Sequence, residues 1–109
     1  MQDHPADLRL EAILPADEPI QLRAVAGDAV VAITDRRIAI ADAHRLMMDT
    51  PIQGLRRIQF DIERGRPATL VFVPDSAASP PQVLAVPPDR YDGVSQALAY
   101  IGKRLAGLG

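Results

Sequence analysis

The side chains that could do chemistry in this chain are few, and their spacing argues against most of it. Asp42 and His44 stand two residues apart, close enough for a carboxylate to orient an imidazole. No second histidine lies near them, since His4 sits at the start of the chain, where ends fray. A metal centre or an acid–base pair needs groups converging from several elements, so Asp42 and His44 read as residues of one surface turn. Ser76, Ser79 and Ser95 have neither a nucleophile elbow nor a base at a recognisable spacing. The chain has no cysteine, which removes disulfides, thiolate catalysis and cysteine-ligated zinc or iron–sulfur sites. No glycine-rich phosphate loop occurs. The expectation is a protein that is not an enzyme, with no catalytic residue, no metal site and no cofactor.

The chemistry that remains is recognition by charge. Arg36, Arg37, Arg56, Arg57, Arg64 and Arg66 fall in three neighbouring pairs. One reading makes them a basic rim that meets an acidic partner or a lipid headgroup. The other makes them a solvated edge of weak surface ion pairs, with Arg57 neutralised by Asp61 and Glu63 on the same strand face. Overall charge decides only one alternative. With 12 basic and 14 acidic residues the net charge is −2, whereas a dedicated nucleic-acid binder carries a basic excess or stripe. Phe60, Phe72, Tyr91 and Tyr100 are also too few to build a base-stacking platform and a core. Nucleic acid is not an expected partner.

These residues must be positioned by the elements around them. The organising stretch is Ala29 to Ala41, two runs of small and β-branched apolar residues flanking Thr34-Asp35-Arg36-Arg37. It predicts a tight β-hairpin with Val31, Ile33, Ile38 and Ile40 on one face. Val30, Ala32, Ala39 and Ala41 then share the opposite face, small and apolar where a half-exposed antiparallel sheet would be polar. Something should cover that face, either the N-terminal helix or another protein, and these four residues are a candidate interface. Asp35 is expected to bond back to the turn backbone.

Before the hairpin, residues 5–14 predict a short helix with Asp7 at its positive dipole end and Pro15 stopping it. Ile20 to Val25 predicts a strand and Gly27-Asp28 a turn. After the hairpin, Arg45 to Asp49 predicts a strand with Leu46 and Met48 on one side, and Ile52 is expected in the core. Leu55 to Glu63 alternates cleanly, with Ile58, Phe60 and Ile62 opposite Arg57, Gln59, Asp61 and Glu63. Gly65 supplies a turn, Ala68 to Val73 a strand, Pro74 to Pro81 a loop, and Val83 to Val86 a last strand. From about Asp89 to Leu105, Tyr91, Val94, Leu98, Ile101, Leu105 and Leu108 recur at three- and four-residue steps, one amphipathic helix. Gly102 weakens its last turn.

At 109 residues the chain is expected to be one domain over residues 1–109, with residues 1–4 disordered and the core over about 13–105. About seven evenly spaced short strands with the only long helix last predict an antiparallel barrel capped by that helix. The acidic polar start lacks a signal sequence, and no apolar run reaches the roughly 20 residues of a membrane span. The expected location is the cytoplasm.

The series Ile13-Leu14-Pro15-Ala16-Asp17-Glu18, then Val31 to Ile40 around its Thr34-x-x-Arg37 hairpin, then Pro51-Ile52-Gln53-Gly54-Leu55 resembles bacterial pleckstrin-homology-like domains. The resemblance spans roughly Ile13 to Leu105. It implies a partly open barrel of about seven strands in two orthogonal sheets, capped by the C-terminal helix. It also implies a non-catalytic scaffold that binds proteins, lipids or copies of itself. Phosphoinositide-binding relatives hold a basic cluster around the first interstrand loop. Here that loop is Ala26-Gly27-Asp28 with only Arg23 nearby, which cannot clamp several phosphates. The expected function is a binding module for a protein partner or for itself, with lipid association through the arginine rim as the alternative.

Overall fold

The computed structural model describes residues 4–107. Leu108, placed on the helix stripe from the sequence, lies outside them. The elements are α1 (Asp7–Ile13), β1 (Leu22–Ala26), β2 (Ala29–Ile33), β3 (Arg37–Ala41), β4 (Leu46–Pro51), β5 (Leu55–Asp61), β6 (Ala68–Pro74), β7 (Gln82–Val86) and α2 (Tyr91–Leu105). Short 3₁₀ turns at Ile52–Gly54 and Pro88–Arg90 lead into β5 and α2. The strands form two antiparallel sheets, β1-β2-β3-β4 and β5-β6-β7, with no ladder joining them among the described residues. This is a partly open barrel with a helix at its C-terminus and a short one at its N-terminus.

The hairpin forms as its composition requires. Val31 pairs with Ile40 and Ile33 with Ile38 on the core side, while Val30 pairs with Ala41 and Ala32 with Ala39 on the other. The turn chemistry differs from expectation. Thr34, not Asp35, organises it: the Thr34 hydroxyl accepts the N–H groups of Arg36 at 3.1 Å and Arg37 at 3.0 Å. The β1–β2 connection is a two-residue loop in which Ala26 pairs with Ala29. Only Gly27, at φ 59°, takes a positive φ there, the pattern of a type II′ hairpin turn.

Two bulges set the strand facing, and the one in β4 corrects the parity read from the sequence. In β4 the register passes from Ile40 opposite Met48 to Ala41 opposite Leu46, which leaves Met47 as an extra residue. Leu46 and Met48 therefore point to opposite faces: Met48 is buried and Leu46 is exposed. In β5 Leu55 pairs with Pro74 and Arg57 with Val73, leaving Arg56 extra. That bulge lets Leu55 enter the core while Arg57, of the same sequence parity, faces out. Ile62 was expected inside but is 59% exposed, because the ladder stops at Asp61 opposite Thr69.

The main core lies between the sheets, around Val31, Ile33, Ile38, Ile40, Leu70 and Phe72, and α2 closes it with Val94, Ala97 and Ile101. Tyr91 meets Phe60 edge to face at 5.7 Å between ring centroids. The expected stripe is narrower at its end, where Leu105 is exposed. At the other end of α2, the 3₁₀ turn at Pro88–Arg90 takes up the first expected residues, so regular helix begins at Tyr91 rather than Asp89.

A second, smaller cluster sits outside the four-stranded sheet. Ala6 and Leu10 pack on Val30, Ala32, Ala39 and Ala41, with Ile13, Leu14 and Val25 around them. This corrects the candidate interface. The small apolar face is not open to a partner; α1 covers it, and all four residues are fully buried. Small side chains are needed there so that a helix can lie close to the strands.

Candidate functional site

The arginines expected to form one rim are divided by the fold. Arg36 and Arg37 lie at the β2–β3 turn and Arg56 and Arg57 at the start of β5. Arg64 and Arg66 lie beyond the far end of β5, about 17 Å or more away at roughly 3.3 Å per residue. No single basic surface contains all three pairs.

The first pair is also engaged internally. Glu18, 2% exposed, accepts from Arg37 Nε at 2.6 Å and Nη2 at 3.1 Å and from the Thr34 hydroxyl at 2.8 Å. Arg36 approaches the same carboxylate at 3.7 Å, and Asp49 approaches Arg37 at 3.3 Å. The Arg37 hydrogen bonds, opposed by burial, hold the Glu18 carboxyl below its ordinary range. The same bonds push Arg37 up. Three acids, Glu18, Asp35 and Asp49, surround two arginines, so this corner is not an anion site. It is a clamp tying the segment before β1 to the hairpin turn. The carbonyl of Asp35 in that turn accepts from Arg104 Nη2 at 2.8 Å, which ties in the end of α2.

A second clamp fixes α1. Asp7, buried, accepts from Arg23 Nε at 2.8 Å and Nη2 at 2.7 Å. It also accepts the His4 backbone N–H at 3.1 Å. Its carboxyl is held low, first by the Arg23 hydrogen bond. Arg23, the cation nearest the first interstrand loop, is thus committed to holding α1 against β1. Neither clamp was read from the sequence. Sequence spacing gives no direct signal for them, since each acid and its arginine lie 16 and 19 residues apart.

Asp42 and His44 behave as turn residues. One carboxylate oxygen of Asp42 accepts the backbone N–H groups of His44 at 2.8 Å and Arg45 at 2.9 Å, and these bonds lower its carboxyl. His4, His44, Asp28 and Asp42 border one cleft of about 380 Å³, but among the described residues no three such side chains converge as a metal would require. The hydroxyl of Ser76 accepts the Ala78 N–H within the β6–β7 loop, and Ser95 lies exposed on α2.

What the fold leaves open is the outer face of the three-stranded sheet. Gln82, Leu84 and Val86 turn inward, so Val83, 64% exposed, and Ala85 turn outward. The same parity puts Thr69, Val71 and Val73 of β6 and Arg57, Gln59 and Asp61 of β5 on that face. The register sorts them into rows: Arg57 beside Val73; Gln59, Val71 and Val83 across the middle; Asp61, Thr69 and Ala85 at the other end. Arg57 was expected to be neutralised by Asp61 or Glu63. Instead Asp61 accepts from Gln59 at 2.8 Å, Glu63 pairs with Arg66 at 3.4 Å, and Arg57 has no ion pair among the described residues.

No family model matches the sequence, and no curated protein does. Among solved structures, a pleckstrin homology domain from Shewanella amazonensis SB2B superposes with a TM-score of 0.68. It is 17% identical, and the match covers 90% of this chain and 83% of that one. Over that span the two backbones follow one architecture, and the fold of this chain is pleckstrin-homology-like.

Proposed function

We propose that the chain is a non-enzymatic binding module of the cytoplasm that engages protein through the outer face of β5-β6-β7. The observation that carries this reading is the patch of β-branched side chains on that face, half-buried Val71 and Val73 and exposed Val83, with no helix over it among the described residues, in a chain whose other sheet has a helix covering its own. An apolar sheet face bordered by charged side chains is the composition of a protein interface. The basic side chains offer little support for lipid binding, because Arg36, Arg37 and Arg66 have acidic partners. The remaining arginines of the set are divided between the two ends of β5.

The test is capture with the tagged full chain after cross-linking, run beside a Val83→Lys variant, with cross-linked positions mapped by mass spectrometry. Expected are cross-links from β5–β7 to a protein, lost in the variant. Flotation of the chain with anionic vesicles, together with cross-links unchanged in Val83→Lys, would overturn the reading.

A further inference from the structure

We infer that the occupant of this sheet face is a second copy of the same chain, packed face to face about a two-fold axis. The inference rests on the protein-binding reading above and adds the identity and orientation of the partner. A two-fold interface must be self-complementary: if residue i meets residue j, then j meets i. The face meets that condition in one orientation. Arg57 and Asp61 lie on the same side of β5, four residues and about 13 Å apart, at opposite ends of the apolar rows. For two sheets to face each other the axis must lie between them. An axis along the strands would set Arg57 over the β7 side of the other copy, leaving both charges unmatched. An axis perpendicular to the strands, running along the Gln59–Val71–Val83 row, reverses the strand direction and keeps β5 over β5. Each Arg57 then meets the partner copy's Asp61, both charges of the face are matched, and the middle rows stack on each other. Sheets packed in this way sit about 10 Å apart, their strands within about 30° of each other.

The size of the face sets the strength. Three strands about 4.8 Å apart and about 20 Å long give a patch of roughly 300 Å², well under the roughly 800 Å² per partner of a standard stable interface. The dimer is therefore expected to be weak and concentration-dependent.

The experiment is sedimentation equilibrium on the full chain from about 10 μM to 1 mM, for wild type, Arg57→Asp, Asp61→Arg and the double exchange. Both positions are exposed, and a thermal melt of each variant checks that the fold is kept. Expected are a wild-type dimer, dissociation at least about tenfold easier in each single variant, where like charges meet, and recovery to within about threefold in the double exchange. Val83→Lys, at the middle row, should also be monomeric. A wild type that stays monomeric at 1 mM overturns the inference. So does a dimer indifferent to the single charge reversals, or a double exchange that fails to recover. In the monomeric case the protein-binding reading still stands or falls separately, on whether Val83→Lys loses its cross-links to other proteins.

Discussion

Arg37 Nε donates to Glu18 Oε2 at 2.6 Å, and the carboxylate that receives it is 2% exposed while the neighbouring Arg36 only approaches it at 3.7 Å. Two arginines adjacent in sequence thus differ in kind. Removing one end of a buried pair leaves the other desolvated without a partner, which costs more than a surface pair contributes. Arg37→Met, which strands Glu18, is expected to lower unfolding stability by about 3 kcal/mol. Glu18→Gln, which keeps the shape and an acceptor, should cost about 2 kcal/mol. Arg36→Ala should stay within about 0.5 kcal/mol. Urea denaturation of the three variants measures this directly, and an equal loss at Arg36 and Arg37 would contradict the clamp.

The same two clamps contribute to how the fold responds to acid. The carboxyls of Glu18 and Asp7 are both held below their unfolded values, first by hydrogen bonds from Arg37 and Arg23. A carboxyl whose folded pKa is depressed contributes stability that is fully present above its unfolded value. That stability is lost as pH falls through the folded one. Stability is therefore expected to be flat with respect to these two groups from pH 7 down to about 5, and to fall progressively below the ordinary carboxylate range near pH 4. Arg37 titrates too high to contribute in this window. In Asp7→Asn the acid-side slope should become shallower, since one of the proton uptakes that accompany acid unfolding is gone. Urea midpoints at pH 7, 5, 4 and 3 for wild type and Asp7→Asn test the sign and the assignment together.

Much of the fold was legible because hydrophobic period and turn chemistry agree along most of the chain. The Val31/Ile33 and Ile38/Ile40 faces and the amphipathic α2 follow from spacing, and the Gly65 turn from glycine's access to positive φ. The error of strand facing at Leu46 and Met48 has a local cause. A bulge adds a residue without changing the composition, so Met47 shifts parity while the sequence still reads as regular alternation. The misplacement of Ile62 has another cause, since where a ladder ends depends on its partner strand. The candidate site was less legible because sequence reasoning treated arginines as one class. Which of them is consumed depends on a carboxylate 19 residues away at Glu18, brought in only by tertiary packing. Likewise the open face became visible only once the register aligned Val71 with Val83.

Glycine positions give a comparison in which local geometry sets opposite signs. Gly27 lies in the β1–β2 turn at φ 59°, and a Cβ there would stand 3.2 Å from the carbonyl oxygen of Ala85 on β7. An L side chain at that φ costs about 1–2 kcal/mol, and β7 must also give way by a few tenths of an ångström. Gly102 lies within α2, where a Cβ would meet nothing within 4 Å. There alanine restores helix propensity worth about 0.8–1.0 kcal/mol. Gly27→Ala is therefore expected to lower the melting temperature, and Gly102→Ala to raise it by about 4–8 °C. The Gly27 change acts where the β1–β2 turn presses on β7, an edge strand of the open sheet. Hydrogen exchange in Gly27→Ala should accordingly speed up along β7 before it does in β2 or β3, whose faces are buried on both sides. Uniform acceleration across both sheets would mean instead that the turn and β7 open only with the whole fold.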